Sequence, residues 1–309
     1  MKGARMRLLF RTMIFVSLCA PVFLIAACVT TRNNDFIFHV HDYSMVQDIP
    51  VRFAQAEDSV ALAYREIGDP SGKRALVIVP GSTMYGYYYL PFMNELCESD
   101  LYIRVIDLRG HGDSGGQRGD VPHEDSLIDD LHVHIGSIRS INPGARIFIA
   151  GHSMGSAICG KYLEKYGYDS VEGVIYLAPF FHYRQPGMKD AGYVDVDIFK
   201  TIFGDDHEVT QIYHPSGDDP KLVRRYTKIM SRASMLSHYS SFRKNHSTRA
   251  LYLIGKRDEL FDWKTSPAIF KDCTGIRYVI IDEATHLDIL ERSAAYIKEW
   301  ITAPPVSGF

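Results

Sequence analysis

The chain has 309 residues, 46% of them hydrophobic and 23% charged, with 24 Gly and 14 Pro, a composition that excludes a disordered tail, a collagen-like repeat and a long coiled coil. That length suits one α/β domain with a sizeable core and an insertion. With 34 basic against 37 acidic residues the net charge is −3, so no basic excess points to nucleic acid as a partner.

In chain order, residues 1–11 carry Lys2, Arg5, Arg7 and Arg11 without an acid, and residues 12–27 form an apolar run interrupted by Pro21 and small polar groups. A basic segment followed by a short apolar one is the pattern of an export signal. The run is also shorter than the roughly 20 residues that span a bilayer comfortably. It ends Leu24-Ile25-Ala26-Ala27-Cys28, which resembles a bacterial lipoprotein lipobox. That resemblance implies a signal peptide over 1–27, diacylglycerol on Cys28 and attachment to a membrane through it. Val29 in place of Asp implies sorting to the outer membrane of a diderm host, facing the periplasm. Cleavage to a soluble exported protein and an uncleaved anchor are the alternatives. Loss of the four basic residues leaves 30 basic against 37 acidic groups, a charge of −7.

Residues 28–49 are polar and unpatterned and read as a spacer. Alternating segments at 51–56 and 60–67, separated by Glu57-Asp58-Ser59, predict a β-hairpin. Apolar, β-branched runs follow at 75–79, 102–108, 146–150, 173–177, 250–254 and 277–281, with helix-length segments between them. Near-continuous apolar strands alternating with helices predict an α/β fold with a mostly parallel sheet covered on both faces. The spacing breaks once, after Leu177, which predicts a core over 50–180 and 249–309 and a helical cap over 181–248. An insertion there covers the carboxyl edge of the sheet, where open α/β sheets bind ligands. Within it, Asp219-Pro220 is predicted to cap a helix with Leu222, Val223, Tyr226, Ile229, Met230 and Ala233 on one face and Lys221, Arg224, Arg225, Lys228 and Arg232 around the other. Such a helix docks on its own domain or lies on an anionic lipid surface. Beyond Cys19 and Cys28, the cysteines Cys97, Cys159 and Cys273 have no CxxC spacing, and the pairs His39/His41 and His132/His134 do not converge at i,i+2. No disulfide framework, metal or cofactor is expected.

The pattern G-x-S-x-G occurs at Gly112-Asp113-Ser114-Gly115-Gly116 and at Gly151-His152-Ser153-Met154-Gly155. The first resembles the nucleophile segment of chymotrypsin-like proteases, but those need two β-barrels and a His and Asp earlier in the chain. Here it reads as a loop after a sheet strand that shapes the pocket wall. The second lies between a predicted strand and a helix predicted over 153–166. A sharp strand-to-helix turn lifts a serine oxygen above the sheet, and flanking glycines leave room for the turn.

With Val79-Pro80-Gly81-Ser82, Asp107-Leu108-Arg109-Gly110-His111-Gly112-Asp113-Ser114, Gly255-Lys256-Arg257-Asp258 and Ala284-Thr285-His286, these segments resemble the α/β-hydrolases, most of all the monoacylglycerol lipase and lysophospholipase branch. The resemblance runs from about Val51 to Trp300. It implies a catalytic triad of Ser153, Asp258 and His286 in the chain order of that fold. Asp262 is the rival acid, and Asp282 and Glu283 sit too near His286. It implies an oxyanion hole from the backbone N–H groups of Met154 and Ser82, with Thr83 as the alternative to Ser82. The family commonly has His-Gly in that loop, where this chain has Pro80-Gly81. The aromatic runs Tyr85-Gly86-Tyr87-Tyr88-Tyr89-Leu90 and Phe180-Phe181-His182-Tyr183 line an acyl pocket or pack the core. The function implied is a lipid-anchored serine hydrolase of carboxylic esters, taking a small-molecule or lipid ester such as a monoacylglycerol or lysophospholipid. A proline iminopeptidase-like peptidase and a non-catalytic envelope binding protein are the alternatives.

Overall fold

The computed structural model describes residues 49–304 apart from 99, 216 and 272. The signal peptide, Cys28, His39, His41 and the spacer lie outside the described residues.

The predicted strands form, nearly residue for residue. They are β1 (Arg52–Gln55), β2 (Ala61–Ile67), β3 (Arg74–Val79), β4 (Leu101–Ile106), β5 (Arg146–His152) and β6 (Gly173–Leu177) before the insertion, whose strands are β7 (Val194–Val196), β8 (Val209–Tyr213) and β9 (Arg225–Thr227). After it come β10 (Ala250–Gly255) and β11 (Ile276–Ile281). The large sheet has the order β1-β2-β4-β3-β5-β6-β10-β11. β2 runs antiparallel to β1 and β4, while the strands from β4 to β11 are parallel. Their carboxyl ends therefore share one edge.

Alternate residues of each strand face opposite sides. Ala75, Val77 and Val79 of β3 pack with α2 (Ser126–Ile141) and α3 (Gly155–Tyr166), through Leu131, Ile135, Ala157 and Tyr162. Leu76 and Ile78 face the other side, with Leu96 of α1 (Leu90–Leu96) and with Ile297 and Trp300 at the C-terminal end. Burial on both faces is why these strands read as unbroken apolar runs.

The segment between β6 and β10 is mixed rather than helical. It holds the antiparallel sheet β7-β8-β9 and the short helices α4 (Ile198–Phe203), α5 (Lys228–Ala233) and α6 (Tyr239–Asn245). The helix expected from Asp219 to Ala233 is instead a turn, β9 and α5. Asp219 caps only the turn, accepting Lys221 N–H at 2.8 Å, and its other oxygen accepts the hydroxyls of Tyr85 and Tyr88, each at 2.9 Å. The helix begins at Thr227, whose side chain accepts Met230 N–H at 3.2 Å. Basic side chains of the segment bind the protein itself: Lys221 pairs with Asp113 and Arg232 with Glu124 and Asp206, while Arg224 donates to the Pro215 carbonyl at 3.0 Å and Lys228 to the Gly204 carbonyl at 2.9 Å. The exposed apolar face of the cap is α4, where Phe199 and Phe203 are both 72% exposed beside Ile198 and Ile202. No helix among the described residues is long and apolar enough to cross a membrane.

Candidate active site

β5 ends at Gly151-His152, and α3 starts at Gly155 rather than at Ser153. Between them Ser153 has φ +49°, a left-handed conformation that an L-residue holds only when its surroundings impose it. They do so here. Ser153 N–H donates to the Leu177 carbonyl at 2.9 Å, and the Ser153 carbonyl accepts Phe180 N–H at 3.0 Å, tying the turn to the end of β6. The two glycines are steric requirements. A Cβ on Gly155 would lie 2.2 Å from the Val79 carbonyl oxygen, and one on Gly151 would lie 2.4 Å from the Gly155 backbone.

Asp258 follows β10 and is buried. One carboxylate oxygen accepts the N–H groups of Leu260 and Phe261, both at 2.8 Å. The other meets His286 Nδ1 at 2.9 Å. A carboxylate accepts only, so Nδ1 carries the proton and Nε2 of the neutral ring is a base. The rival Asp262 is engaged elsewhere, accepting Lys264 N–H and the Thr265 hydroxyl in its own turn. Asp282 pairs with Lys256 and Glu283 with Arg257.

Several positioning groups went unassigned in the sequence. Glu259 accepts His286 N–H at 2.9 Å. His152 Nε2 donates to the His286 carbonyl at 2.9 Å, which leaves its Nδ1 to accept the Tyr89 hydroxyl at 2.8 Å. Burial holds the His152 imidazole neutral, its pKa lowered to about 3. Tyr89 in turn accepts Gly81 N–H at 2.8 Å. Thus Tyr89 and His152 join the loop after β3 to the loop that carries His286. Thr83 N–H donates to the Tyr226 hydroxyl at 2.9 Å. The backbone donors on both sides of Ser82 are therefore committed.

A cavity of about 160 Å³ opens above Ser153. Ser82, Ser153 and Met154 contribute to it together with Phe180, Tyr213 and Phe261, and half-exposed Val194 and Val196 line it as well. Of the two aromatic runs, Phe180 and Tyr183 line the cavity, while Phe181 is core. The run from Tyr85 to Leu90 stays out of it, the hydroxyls of Tyr85 and Tyr88 spent on Asp219 and that of Tyr89 on Gly81 and His152. The loop 107–114 is not pocket wall either. Ser114 accepts Ala63 N–H at 2.8 Å and donates to the Asp107 carbonyl at 2.7 Å, which sews β2 to the end of β4. Arg65 bridges Asp107 and Asp113 beneath it. His132 stacks on Tyr166 and His134 lies edge-on to Tyr64. No group of three or more His, Cys, Asp or Glu placed to hold a metal occurs among the described residues.

A serine on a strained strand-to-helix turn, a buried Asp–His pair at neighbouring strand ends and a parallel sheet beneath them are the arrangement of the α/β-hydrolase fold. The chain belongs to the serine aminopeptidase S33 family, whose profile matches residues 70–293. It is similar to human monoglyceride lipase, 34% identical over 96 residues that cover 31% of each chain. It is also similar to protein phosphatase methylesterase 1 of Candida albicans, 24% identical over 156 residues, 48% of this chain and 41% of that one. The matches thus span less than half the length of these relatives. Among solved structures, a soluble variant of the Saccharomyces cerevisiae monoglyceride lipase superposes with a TM-score of 0.65 at 16% identity, covering 82% of this chain and 95% of that one.

Proposed function

We propose that this protein hydrolyses carboxylic esters of apolar acyl groups, monoacylglycerols or lysophospholipids among them, through an acyl-enzyme on Ser153. The observation that carries the reading is the 2.9 Å contact of Asp258 with His286 Nδ1, beside a serine held at positive φ. His286 Nε2 takes the Ser153 proton as the oxygen attacks the ester carbonyl, and Asp258 stabilises the imidazolium. The oxyanion receives the N–H groups of Met154 and Ser82. His286 then protonates the departing alkoxide, and water repeats the sequence on the acyl-enzyme.

The apolar lining supports an acyl chain as the bound group, and the relatives' names, a lipase and a methylesterase, support the same bond. The family's name supports a second reading, aminopeptidase activity, for which Asp190, the one carboxylate lining the cavity among the described residues, would meet an α-ammonium. A panel of p-nitrophenyl esters of rising chain length beside aminoacyl anilides tests both. Ester turnover lost in Ser153→Ala and kept in Ser114→Ala is the expected outcome; anilide turnover alone, or no labelling by a fluorophosphonate, overturns it. The exposed face of α4 lies in the chain next to Val196, a cavity residue, and supports approach of substrate from a lipid phase. Our reading includes a lipid on Cys28 and residence in the cell envelope, at the outer membrane facing the periplasm. Metabolic labelling with an alkyne palmitate, lost in Cys28→Ser, tests this part separately.

A further inference from the structure

The loop that carries Ser82 has Pro80 where the family commonly has an imidazole, yet it keeps a conformation that a threonine does not keep unaided. Thr83 has φ +69°, and a left-handed backbone costs a β-branched residue roughly 1–2 kcal/mol. Each polar atom of Thr83 is bonded to the segment between β6 and β10. Its N–H donates to the Tyr226 hydroxyl at 2.9 Å, its carbonyl accepts Val223 N–H at 3.1 Å, and its Oγ1 lies 3.2 Å from the Tyr193 hydroxyl. Thr83 and Tyr226 are wholly buried, and so is His111.

The directions of these hydrogen bonds follow from what each atom can do. His111 Nδ1 lies 3.0 Å from the Arg109 carbonyl, which only accepts, so Nδ1 carries the ring's proton. Burial keeps the ring neutral, its pKa lowered to about 4. Nε2 therefore accepts, and the Tyr226 hydroxyl 2.6 Å away donates to it. The Tyr226 oxygen then presents its lone pairs to Thr83 N–H.

We propose that Tyr226 is a positioning residue for the oxyanion loop: oriented by His111, it fixes Thr83 in the left-handed turn and so aims the neighbouring Ser82 N–H, which makes seating of the cap and completion of the oxyanion hole a single event. This rests on the ester-hydrolase reading and adds the cap to it. Tyr226 is not among the residues that line the cavity, so its removal acts on the transition state and spares ground-state binding.

The test is Tyr226→Phe, which keeps the ring and deletes the hydroxyl. A whole oxyanion donor is worth about 10²–10³ in kcat, and a misaimed one should cost roughly 10- to 100-fold. The expected result is that loss in kcat for p-nitrophenyl butyrate with KM within twofold, a parallel rise in Ki for an alkyl trifluoromethyl ketone, and an unchanged Kd for butyrate. Thr83→Gly added to Tyr226→Phe should recover part of the loss, since glycine needs no partner to hold positive φ. If Tyr226→Phe does not fold, His111→Leu, which removes the acceptor and leaves Tyr226 in place, should give the same split. An unchanged kcat, or equal losses in butyrate and ketone affinity, overturns the proposal while wild-type turnover upholds the hydrolase reading. A wild-type chain that hydrolyses no ester and takes no fluorophosphonate overturns both.

Discussion

Asp258→Asn changes one atom of the site and should nearly abolish turnover, because of how Asp258 is held. The oxygen that accepts two backbone N–H groups at 2.8 Å must stay an acceptor, so the amide nitrogen has to face His286. The opposite orientation would set an NH₂ against two donors and leave them without partners, at about 1–3 kcal/mol for each. That disfavours it by a factor of roughly 10² or more. An N–H facing His286 Nδ1 forces the imidazole proton onto Nε2, and the ring can no longer take a proton from Ser153. With the loss of carboxylate support for the imidazolium, kcat should fall by about 10⁴. Asp258→Ala imposes no tautomer, so it should lose less kcat and more thermal stability. Steady-state hydrolysis of p-nitrophenyl butyrate and thermal unfolding of both variants measure this. An Asp258→Asn enzyme within tenfold of wild type, or a larger loss in Asp262→Asn, would refute the assignment of the acid.

Glycine substitutions should act with opposite signs: Gly155→Ala drives a Cβ into the Val79 carbonyl and should lower Tm and activity together, whereas Gly136 in α2 has nothing within 4 Å, and Gly136→Ala should stabilise by about 0.5–1 kcal/mol. Denaturant unfolding of both variants checks the pair. Acid should unfold the domain: burial lowers the pKa of His134 and His152 to about 3 and that of His111 to about 4. Their stabilisation is full above the unfolded value near 6.5 and is lost as pH falls, because the unfolded chain takes up protons that the folded one refuses. At pH 5 each contributes a loss of about 2 kcal/mol, so Tm should drop steeply from pH 7 to 5, less so in His134→Leu; a flat Tm would contradict it. Phe199→Ser with Phe203→Ser should leave p-nitrophenyl butyrate turnover unaltered while weakening vesicle binding at least tenfold, at about 1.5 kcal/mol for each ring removed, as flotation with phosphatidylcholine vesicles would show.

The sheet was legible because a parallel strand buried on both faces is apolar almost throughout, as β3, β4, β5, β6 and β10 are, while the sixth run, β11, is apolar although Tyr278 and Ile280 on this edge strand are exposed. The elbow was legible for a steric reason, since only glycine fits at 151 and 155. The cap was not. Leu222, Tyr226, Ile229 and Ala233 recur at helical spacing, yet their burial comes from a turn, a strand and a short helix that each face the core. In α4 the reverse holds, for Ile198, Phe199, Ile202 and Phe203 form a helical apolar face that lies in solvent. The bonds that fix the loop around Ser82 join residues 143 and 115 positions apart, and no local pattern encodes them. His152 was visible as a motif letter, and its two hydrogen bonds give it a task that the motif does not express.

The excursion between β6 and β10 leaves the sheet at the carboxyl end of one strand and rejoins it at the amino end of its parallel neighbour, where Ala250 pairs with Val174. Leu177 pairs with Leu253, and Ala178 N–H donates to the Leu253 carbonyl at 2.8 Å. Closing so long a loop is entropically mild, since each doubling of its length adds only about 0.6 kcal/mol. The core can therefore exchange this excursion for another during evolution with little thermodynamic resistance, and new substrate pockets come with the exchange. What restrains the exchange here is a grammar shared by both parts. A replacement must supply a buried hydroxyl to Thr83 and a carboxylate to Tyr85 and Tyr88, or the loop around Ser82 would lose the partners that fix it.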